Sequence, residues 1–393
     1  MRISWLAFKS LGRGIANTYG AFQTYYQGAL LEDQSSSRIS WIGSIQAFML
    51  NFAGGFLTGP IYDAGYMREL IYVGTVTAVF GMMMTSICKE YWQFILAQGL
   101  TVGVGAGCLL LPSVAVMPAY FKTRRALATG IGASGSSIGL CHSRGIIYPI
   151  VFHRLQPVIG FGWATRVIAF IMLATLAIPI TVMRAKNFPS TRRPFIDTKV
   201  LREVPYVLFT FGEFCGFAGL YLPFFYIQTY AISKSIVSPN LGFYMLSFVN
   251  AGSFFGRIVP NFFSDRIGPL NVIMPFSILC GIIAFSWTSI QSTGSLIIFC
   301  ISYGFFSGTF VSITGPALAT LSPDLALVGT HMGMSFAFSA MGVLIGNPVA
   351  GVLLDSAGWI GPAAFCGSAN VLAGLFIAAA RWWKVGWKVW VKV

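Results

Sequence analysis

Long stretches of this chain contain almost no charged residue, and that feature limits its fold more than any other. Asp, Glu, Lys and Arg together make up 9% of the 393 residues, whereas soluble domains carry about 25%. So few charges cannot cover a water-exposed surface, which excludes a water-soluble enzyme. Because a helix of roughly 20 apolar residues crosses a bilayer, the sequence predicts an all-α membrane protein built from transmembrane helices.

Twelve stretches are apolar enough to be spans, and they divide into two sets of six. A polar segment at 184–203 separates the sets and contains six Lys or Arg residues and two acids. We therefore predict an N-terminal six-helix bundle over 1–183, a cytosolic linker over 184–203, and a C-terminal six-helix bundle with a short cytosolic tail over 204–393. The predicted spans lie near residues 8–31, 39–62, 69–88, 91–118, 126–152, 163–183, 204–231, 240–262, 269–290, 294–319, 328–350 and 359–381.

The distribution of basic residues predicts how the chain lies in the membrane. If the N-terminus is cytosolic, 19 of the 25 Lys and Arg residues fall on the cytosolic side, as the positive-inside rule requires. We therefore predict a multi-pass protein of the cell membrane with both termini in the cytosol and the lipid bilayer around it. The net charge of +14 follows from this topology, so it does not indicate a nucleic acid as a partner.

Recurring residues indicate that the two sets of spans are copies of one another. Asp63 and Asp265 follow the second and eighth spans, with an offset of 202 residues. The Gly99-x-x-x-Gly103 motif of the fourth span recurs at 304–308 in the tenth, with an offset of 205 residues. Similar offsets at both places predict a parallel repeat of six helices.

Several short motifs resemble a known family. The most specific is Tyr120-Phe-Lys-Thr-Arg-Arg-Ala-Leu-Ala-Thr-Gly-Ile131, and it is supported by Gly59-Pro-x-x-Asp63, Ser40-Trp-Ile-Gly-Ser44, Gly268-Pro-Leu-Asn271 and Gly333-Met-Ser-Phe336. In these motifs the chain resembles the major facilitator superfamily, and within it the monocarboxylate-porter family, particularly the fungal members. The resemblance implies two six-helix bundles that rock around a central site, and hence secondary active transport by alternating access.

Ionisable side chains inside the spans are candidate functional groups, because they are expensive at membrane depth. The resemblance places Arg257 at the family's substrate-carboxylate arginine, and a guanidinium can hold a carboxylate with two hydrogen bonds. The alternative is that Arg257 reaches the cytosolic face or pairs with Asp265. Ser253 stands where the animal members have an aspartate for proton coupling. Glu213 is therefore the proton-coupling candidate, and its alternative is a protonated glutamate hydrogen-bonded between helices.

Charged residues at the cytosolic ends of spans two and eight are candidates for a conformational latch. Asp63 with Arg68, and Asp265 with Arg266, stand next to glycines at equivalent positions of the two halves. An aspartate there can pair with a basic residue or accept bonds from helix N-terminal amides, which favours one packing of the bundles. The alternative interpretation is a tight loop turn.

The resemblance also implies that spans one, four, seven and ten line the central pathway. An amphipathic, aromatic cavity with little fixed charge favours a drug-sized organic acid or an amphiphilic metabolite. For each candidate residue, ordinary helix packing is the alternative. The predicted substrate-binding residues are Arg257, Gln23, Tyr26, Gln98, Tyr221, Phe225 and Gln228, and further cavity candidates are Asn17, Phe224, Ser307 and Thr309.

The sequence thus favours a secondary transporter that exports an organic acid or an amphiphilic secondary metabolite, with protons as a candidate co-substrate. An uptake permease for small monocarboxylates or a related nutrient is the first alternative, and a membrane sensor that does not transport is another. The three histidines are scattered, so we predict no enzyme activity, no metal site and no cofactor.

Overall fold

The computed structural model describes residues 18–115, 144–182, 194–324, 327–386 and Val391. Among these residues there are twelve helical spans and no β-strand. Eight of the described helices are long and apolar enough to cross a bilayer. In chain order the spans are α1 (18–30), α2 (36–63), α3 (Met67–Thr85), α4 (91–115), α5 (144–159), α6 (161–182), α7 (Val204–Ser233), α8 (Pro239–Ile267), α9 (Pro269–Phe285), α10 (Thr293–Leu321), α11 (Val328–Ala357) and α12 (Ile360–Val385).

The described spans follow the predicted ones closely, except between α5 and α6. The apolar pattern predicts a loop over 153–162, whereas the helix continues through this region and breaks only at Gly160, with φ 76° and ψ 169°. Glycine adopts a positive φ without the steric cost that a Cβ brings. The predicted boundary between residues 183 and 184 lies outside the described residues, so the division into three regions stays a prediction.

Serine caps, prolines and glycines fix the helix ends. Ser238 caps α8 by accepting a hydrogen bond from the Leu241 N–H at 3.4 Å, and Pro239 takes a first-turn position, where its missing N–H leaves nothing unsatisfied. Gly268 ends α8 with φ 101°, and Pro269 begins α9 directly after it. The Gly-Pro pair is therefore a sharp turn between two consecutive spans.

Three spans of the N-terminal half contain π-helical segments. They are Tyr26–Leu30 in α1, Ala53–Leu57 in α2 and Ile95–Val102 in α4. Segments of this kind interrupt the regular i to i−4 hydrogen bonding and are frequent at functional sites. The three segments therefore identify places where the N-terminal half departs from rigid helix geometry.

α7 is interrupted at Tyr221, between the segments Val204–Leu220 and Leu222–Ser233. Pro223 causes the break, because it has no N–H to donate to the carbonyl of Gly219, four residues earlier. Neighbouring spans supply the missing donors. Cys366 Sγ lies 3.3 Å from the Gly219 oxygen, and the Tyr303 hydroxyl donates to the next carbonyl, that of Leu220, at 2.8 Å.

Within the part of the chain that the structure describes, each half forms its own bundle, and three of the pairs of spans that join the halves are described next. In the C-terminal half α8 packs on α10, and α12 packs on α7 and α9; in the N-terminal half α4 packs on α2 and α3. Between the halves α2 contacts α11, and α8 contacts the helix that includes α5. Under the predicted repeat α2 corresponds to α8 and α5 to α11, so these are two copies of one interface. The third pair, α1 with α7, encloses the candidate site.

Candidate functional site

The two halves touch each other near both ends of the bundle. We call the end that holds residues 194–203 the linker face, and the end that holds the loop at 31–35 the far face. Toward the linker face, a Cβ added to Gly333 of α11 would lie 2.5 Å from the Gly55 carbonyl oxygen of α2. Near the far face, Thr24 Oγ1 of α1 lies 3.3 Å from Thr229 Oγ1 of α7, and the ring of His153 stacks 4.0 Å from that of Phe243. At the far face, therefore, α1 is joined to α7 and α5 to α8.

On the linker-face side of the contact between Thr24 and Thr229, α1 and α7 approach each other closely. The rings of Tyr19 and Phe225 lie 4.9 Å apart, and those of Phe225 and Tyr221 lie 6.5 Å apart. A Cβ added to Gly20 would lie 2.1 Å from the carbonyl oxygen of Phe224, so only glycine permits this backbone distance. The structure thus brings the predicted residue Phe225 of α7 against α1, with the ring of the predicted residue Tyr221 beside it on the same helix.

Tyr26 and Gln98, both predicted site residues, are hydrogen-bonded to each other. The Tyr26 hydroxyl donates to Gln98 Oε1 at 2.5 Å, and both side chains are buried. Phe22, Phe94 and Phe161 surround Tyr26, with ring centroids 4.6 to 6.1 Å from that of Tyr26. The bond joins the π-helical segment of α1 to that of α4, so an aromatic cluster fixes the two irregular segments together.

Three buried glutamine amides lack a hydrogen-bond partner among the described residues. Gln23 of α1 and Gln228 of α7 were predicted to bind substrate, and Gln46 of α2 was not. Gln23 lies near the hydroxyl of Tyr226, which donates to the Asn347 carbonyl at 3.1 Å. An unsatisfied buried amide costs about 1–3 kcal/mol. The amides of Gln23 on α1 and Gln228 on α7 are therefore proposed as polar surface for a ligand or for water once these two helices separate. A polar residue in an apolar span was the available signal for Gln46.

Two further cavity candidates on α10 contribute to helix packing. Ser307 donates to the Gly304 carbonyl of its own helix at 3.1 Å. Thr309 donates to the Gly256 carbonyl of α8 at 2.8 Å. The packing interpretation therefore describes both residues. α10 instead contacts the aromatic side chains of α7 through Phe310, whose ring lies 5.6 Å from that of Phe217.

Glu213 is fully buried in α7 and accepts a hydrogen bond from α11. Ser335 Oγ donates to Glu213 Oε2 at 2.5 Å. The Thr210 hydroxyl, one turn earlier on α7, lies 3.0 Å from Ser335 Oγ. The carboxyl group therefore belongs to a row of hydroxyl groups between α7 and α11, a geometry that suits both proton exchange and the alternative role of a link between helices.

Arg257 is buried in α8, with 2% of its surface exposed, and its carbonyl accepts from the Asn261 amide at 2.8 Å. Burial of this degree excludes the alternative in which its head group reaches the cytosolic solvent. Ser253, one turn earlier, faces α10, because a Cβ on Gly308 would lie 2.6 Å from the Ser253 carbonyl oxygen. A larger acidic side chain at 253 would therefore meet the backbone of α10.

The latch candidates lie where the sequence places them, at the ends of α2 and α8 and the start of α3. Arg68 and Arg266 are exposed and Asp265 is half-buried; the side chain of Asp63 lies outside what the structure describes. The guanidinium of Arg266 stacks on the Phe262 ring at 4.7 Å. The role of these residues as a latch stays a prediction.

The linker is attached to the first turn of α11, a contact that sequence reasoning missed. Asp197 Oδ2 lies 3.1 Å from His331 Nε2, and His331 Nδ1 lies 2.6 Å from Ser322 Oγ. Thr330 Oγ1 donates to the Pro194 carbonyl at 2.9 Å. The hydrogen bond from His331 lowers the pKa of Asp197 below its ordinary value, and the Lys199 N–H adds to this effect. A lone aspartate in the polar segment was the only sequence signal.

Two further predicted features lie outside the described residues. They are the motif at 120–131 and the cavity candidate Asn17. The recurring glycines of the fourth and tenth spans are among the described residues, and so are the candidate residues Gln23 and Tyr26 of α1.

Residues 10–326 match the Major Facilitator Superfamily. The chain is 42% identical over 370 residues to the MFS-type transporter dbaD of Emericella nidulans, covering 93% of this chain and 82% of that protein. It is 39% identical to the agnestins efflux protein AgnL12 of Paecilomyces divaricatus, covering 94% of this chain and 83% of the relative. It is 38% identical to the aspyridones efflux protein apdF of Emericella nidulans, covering 88% and 69% of the two chains.

Proposed function

The chain belongs to the Major Facilitator Superfamily, and from this premise we propose that it exports an aromatic, amphiphilic organic acid. Membership confirms the predicted fold class of twelve helices in two six-helix bundles. It also confirms that the chain is a membrane transporter and not an enzyme, since the related proteins are named as transporters and efflux proteins. We propose the substrate, the direction of transport, the orientation in the membrane and the coupling to protons.

The observation that carries the proposal is the aromatic and amide surface between α1 and α7. The rings of Tyr19 and Phe225 meet there, with the ring of Tyr221 next to Phe225, and Gln23 and Gln228 have amides that both donate and accept. A ligand with fused rings and several carbonyl or hydroxyl groups satisfies both kinds of surface. Small acids such as lactate have no ring to occupy the aromatic part.

Arg257 is the proposed partner of the substrate carboxylate. It is buried within α8, where an ionic group at membrane depth is rarely without function. A guanidinium can bind a carboxylate through two parallel hydrogen bonds. The names of two relatives, efflux proteins for agnestins and for aspyridones, support a secondary metabolite as cargo and export as the direction.

We also propose the finer assignments that the family match leaves open. The motif at 120–131 supports the monocarboxylate-porter family, and the positive-inside distribution supports the cell membrane with linker and termini in the cytosol. With that orientation, the far-face contacts keep the halves closed toward the outside. The proposed latch residues Asp63, Arg68, Asp265 and Arg266 would then influence closure on the cytosolic side.

Transport into proteoliposomes tests the proposal with three acids of increasing ring area: lactate, 1-naphthoate and anthraquinone-2-carboxylate. We expect protein-dependent movement of the two aromatic acids and little of lactate. Preferential movement of lactate would support the uptake permease instead. Saturable binding of an aromatic acid without any movement would support the sensor.

A matched pair of variants tests the role of Arg257. Loss of a bidentate ionic contact of about 1.5–3 kcal/mol should slow anthraquinone-2-carboxylate transport about 10- to 100-fold in R257Q. The neutral anthraquinone-2-carboxamide should be affected far less, since it does not need the cation. R38Q removes an exposed arginine that binds only Gln34 among the described side chains, and it should leave both rates unchanged. Equal losses for acid and amide in R257Q would show that Arg257 is structural.

A further inference from the structure

Residues 194–197 of the linker lie across the start of α11, and we call them the strap. At one end of the strap, the Pro194 carbonyl accepts a hydrogen bond from Thr330 Oγ1 at 2.9 Å. At the other end, the Asp197 carboxylate lies 3.1 Å from His331 Nε2. Both side chains of α11 are buried. Polar contacts therefore attach both ends of the strap to the C-terminal half.

Between these two attachments, Phe195 contacts the N-terminal half. Its ring lies 6.3 Å from that of Phe56 in α2, and the Phe56 ring lies 5.8 Å from that of Phe52, one turn earlier. Aromatic rings at such separations attract each other beyond the area that they bury. The strap therefore bridges the two halves, with polar contacts on α11 and an aromatic contact on α2.

The bridge lies beside a backbone contact that must break when the linker face opens. Gly55 precedes Phe56 in the π-helical segment Ala53–Leu57, and a Cβ added to Gly333 of α11 would lie 2.5 Å from the Gly55 carbonyl oxygen. Rocking of the two halves moves α2 away from α11 at this end. A ring contact does not survive a separation of several ångströms, so the strap then has to leave one of the two helices.

We propose that the strap holds the linker face closed, and that Phe195 leaves α2 when this face opens while Asp197 stays on α11. Phe195 is the weaker attachment, because its side chain is exposed and makes an aromatic contact without a hydrogen bond. The inference goes beyond the proposed function, since it holds for any substrate. A contact that exists in one state alone shifts the population toward that state. Under the proposed orientation, the strap therefore limits how often the site opens to the cytosol.

Hydrogen–deuterium exchange of the full chain in lipid nanodiscs tests the strap without any substrate. Opening the linker face exposes the helix ends near 58–66 and 327–333 to water, so exchange in these peptides rises with the population of the open state. F195A removes the ring contact with α2. We expect it to speed exchange in both peptides about two- to tenfold.

Two variants of the strap are matched controls for F195A. Ile196 follows Phe195 directly, and the two side chains are 54% and 56% exposed. I196A removes an equally exposed apolar side chain but leaves the ring, so exchange should stay within about twofold of wild type. F195Y keeps the ring and should also exchange like wild type.

Exchange of the linker itself shows which helix the strap leaves. F195A should leave the peptide at 194–203 as protected as in wild type, because Asp197 still attaches it to α11. D197A should speed exchange at 194–203 as well as at the two linker-face peptides. The far-face peptide near 24–35 should exchange no faster than wild type in any of these variants, since their contacts lie at the other end of the bundle.

Several results would overturn the proposal. If F195A exchanges like wild type, or if I196A speeds exchange as much as F195A, the Phe195 ring does not hold the face closed. If F195A also speeds exchange at 194–203, or if D197A does not, the strap is not attached to α11 as proposed. Faster exchange at 24–35 in F195A would mean a general loss of stability. Failure of the substrate proposal is distinguishable, because the protein would then transport none of the three acids whatever the exchange rates show.

Discussion

Equivalent glycines pack differently in the two halves, although the repeat places them at matching positions. A Cβ added to Gly304 of α10 would lie 2.0 Å from the Val249 carbonyl oxygen of α8, whereas one added to Gly99 of α4 would lie 3.2 Å from the Ile42 carbonyl oxygen of α2. At these glycines, α10 is therefore packed more closely on α8 than α4 is on α2. Among the described residues, all three π-helical segments are in the N-terminal half. The comparison indicates a stiff C-terminal frame and a more deformable N-terminal one.

In both halves, a side chain at the same repeat position stabilises an irregular helix. Gln98 of α4 and Tyr303 of α10 stand at the same repeat position, with the offset of 205 residues that relates the glycines. Gln98 accepts from Tyr26, where α1 becomes π-helical. Tyr303 donates to the Leu220 carbonyl, where α7 breaks. In both halves, therefore, the same position of the neighbouring span supports the helix that faces the candidate site.

Alanine at the paired glycines should give the largest difference between the halves. G304A forces a Cβ against a carbonyl of a packed helix, so we expect loss of folded protein or destabilisation of about 3 kcal/mol. G99A meets the facing carbonyl at 3.2 Å, a tight contact that a shift of a few tenths of an ångström relieves, and it should cost about 1 kcal/mol. Thermal unfolding of both variants in lipid nanodiscs measures the difference. Equal melting temperatures would refute the idea that one half is packed more tightly.

Removing the two supporting side chains should have the next largest effect. Q98L leaves the buried Tyr26 hydroxyl without an acceptor, which costs about 1–3 kcal/mol, and Y303F leaves one carbonyl unsatisfied, at about 1 kcal/mol. The melting temperature of each variant reports this cost. If the N-terminal half is the deformable one, Q98L should also change the transport rate of anthraquinone-2-carboxylate more than Y303F does. The reverse order of transport effects would contradict that assignment.

The sequence predicted the fold from patterns that depend on one helix at a time. Apolar length identifies each span, and the aspartate and glycine offsets identify the repeat. Gly160 shows the limit of this approach, since helix continues where the polar residues around it suggested a loop. A single glycine can break a helix or lie within one, and the neighbouring spans decide which.

The candidate site was predicted less completely, because it depends on which helices face each other. Tyr26 and Gln98 were both named, but nothing in the sequence shows that 72 positions apart they share a hydrogen bond. The buried, unpartnered amide of Gln46 was not named, since it lies on α2, a span that the family pattern does not assign to the central pathway. The contact between Asp197 and His331 was missed because it joins a polar segment to a helix start that is 134 positions away.

Replacing Gln23 by leucine should have the smallest effect on stability, and unlike the other variants it should not destabilise the protein. Its amide has no hydrogen-bond partner among the described residues, so Q23L removes an unsatisfied polar group without leaving another behind, and we expect no loss or a gain of up to about 1 kcal/mol. Q98L, one helix away, is the control, because its partner Tyr26 loses a bond. Transport of anthraquinone-2-carboxylate should nevertheless slow in Q23L, since the amide is proposed to meet the ligand when α1 and α7 separate. A destabilised Q23L would mean that the amide already has a partner in the closed state, and unchanged transport would remove Gln23 from the site.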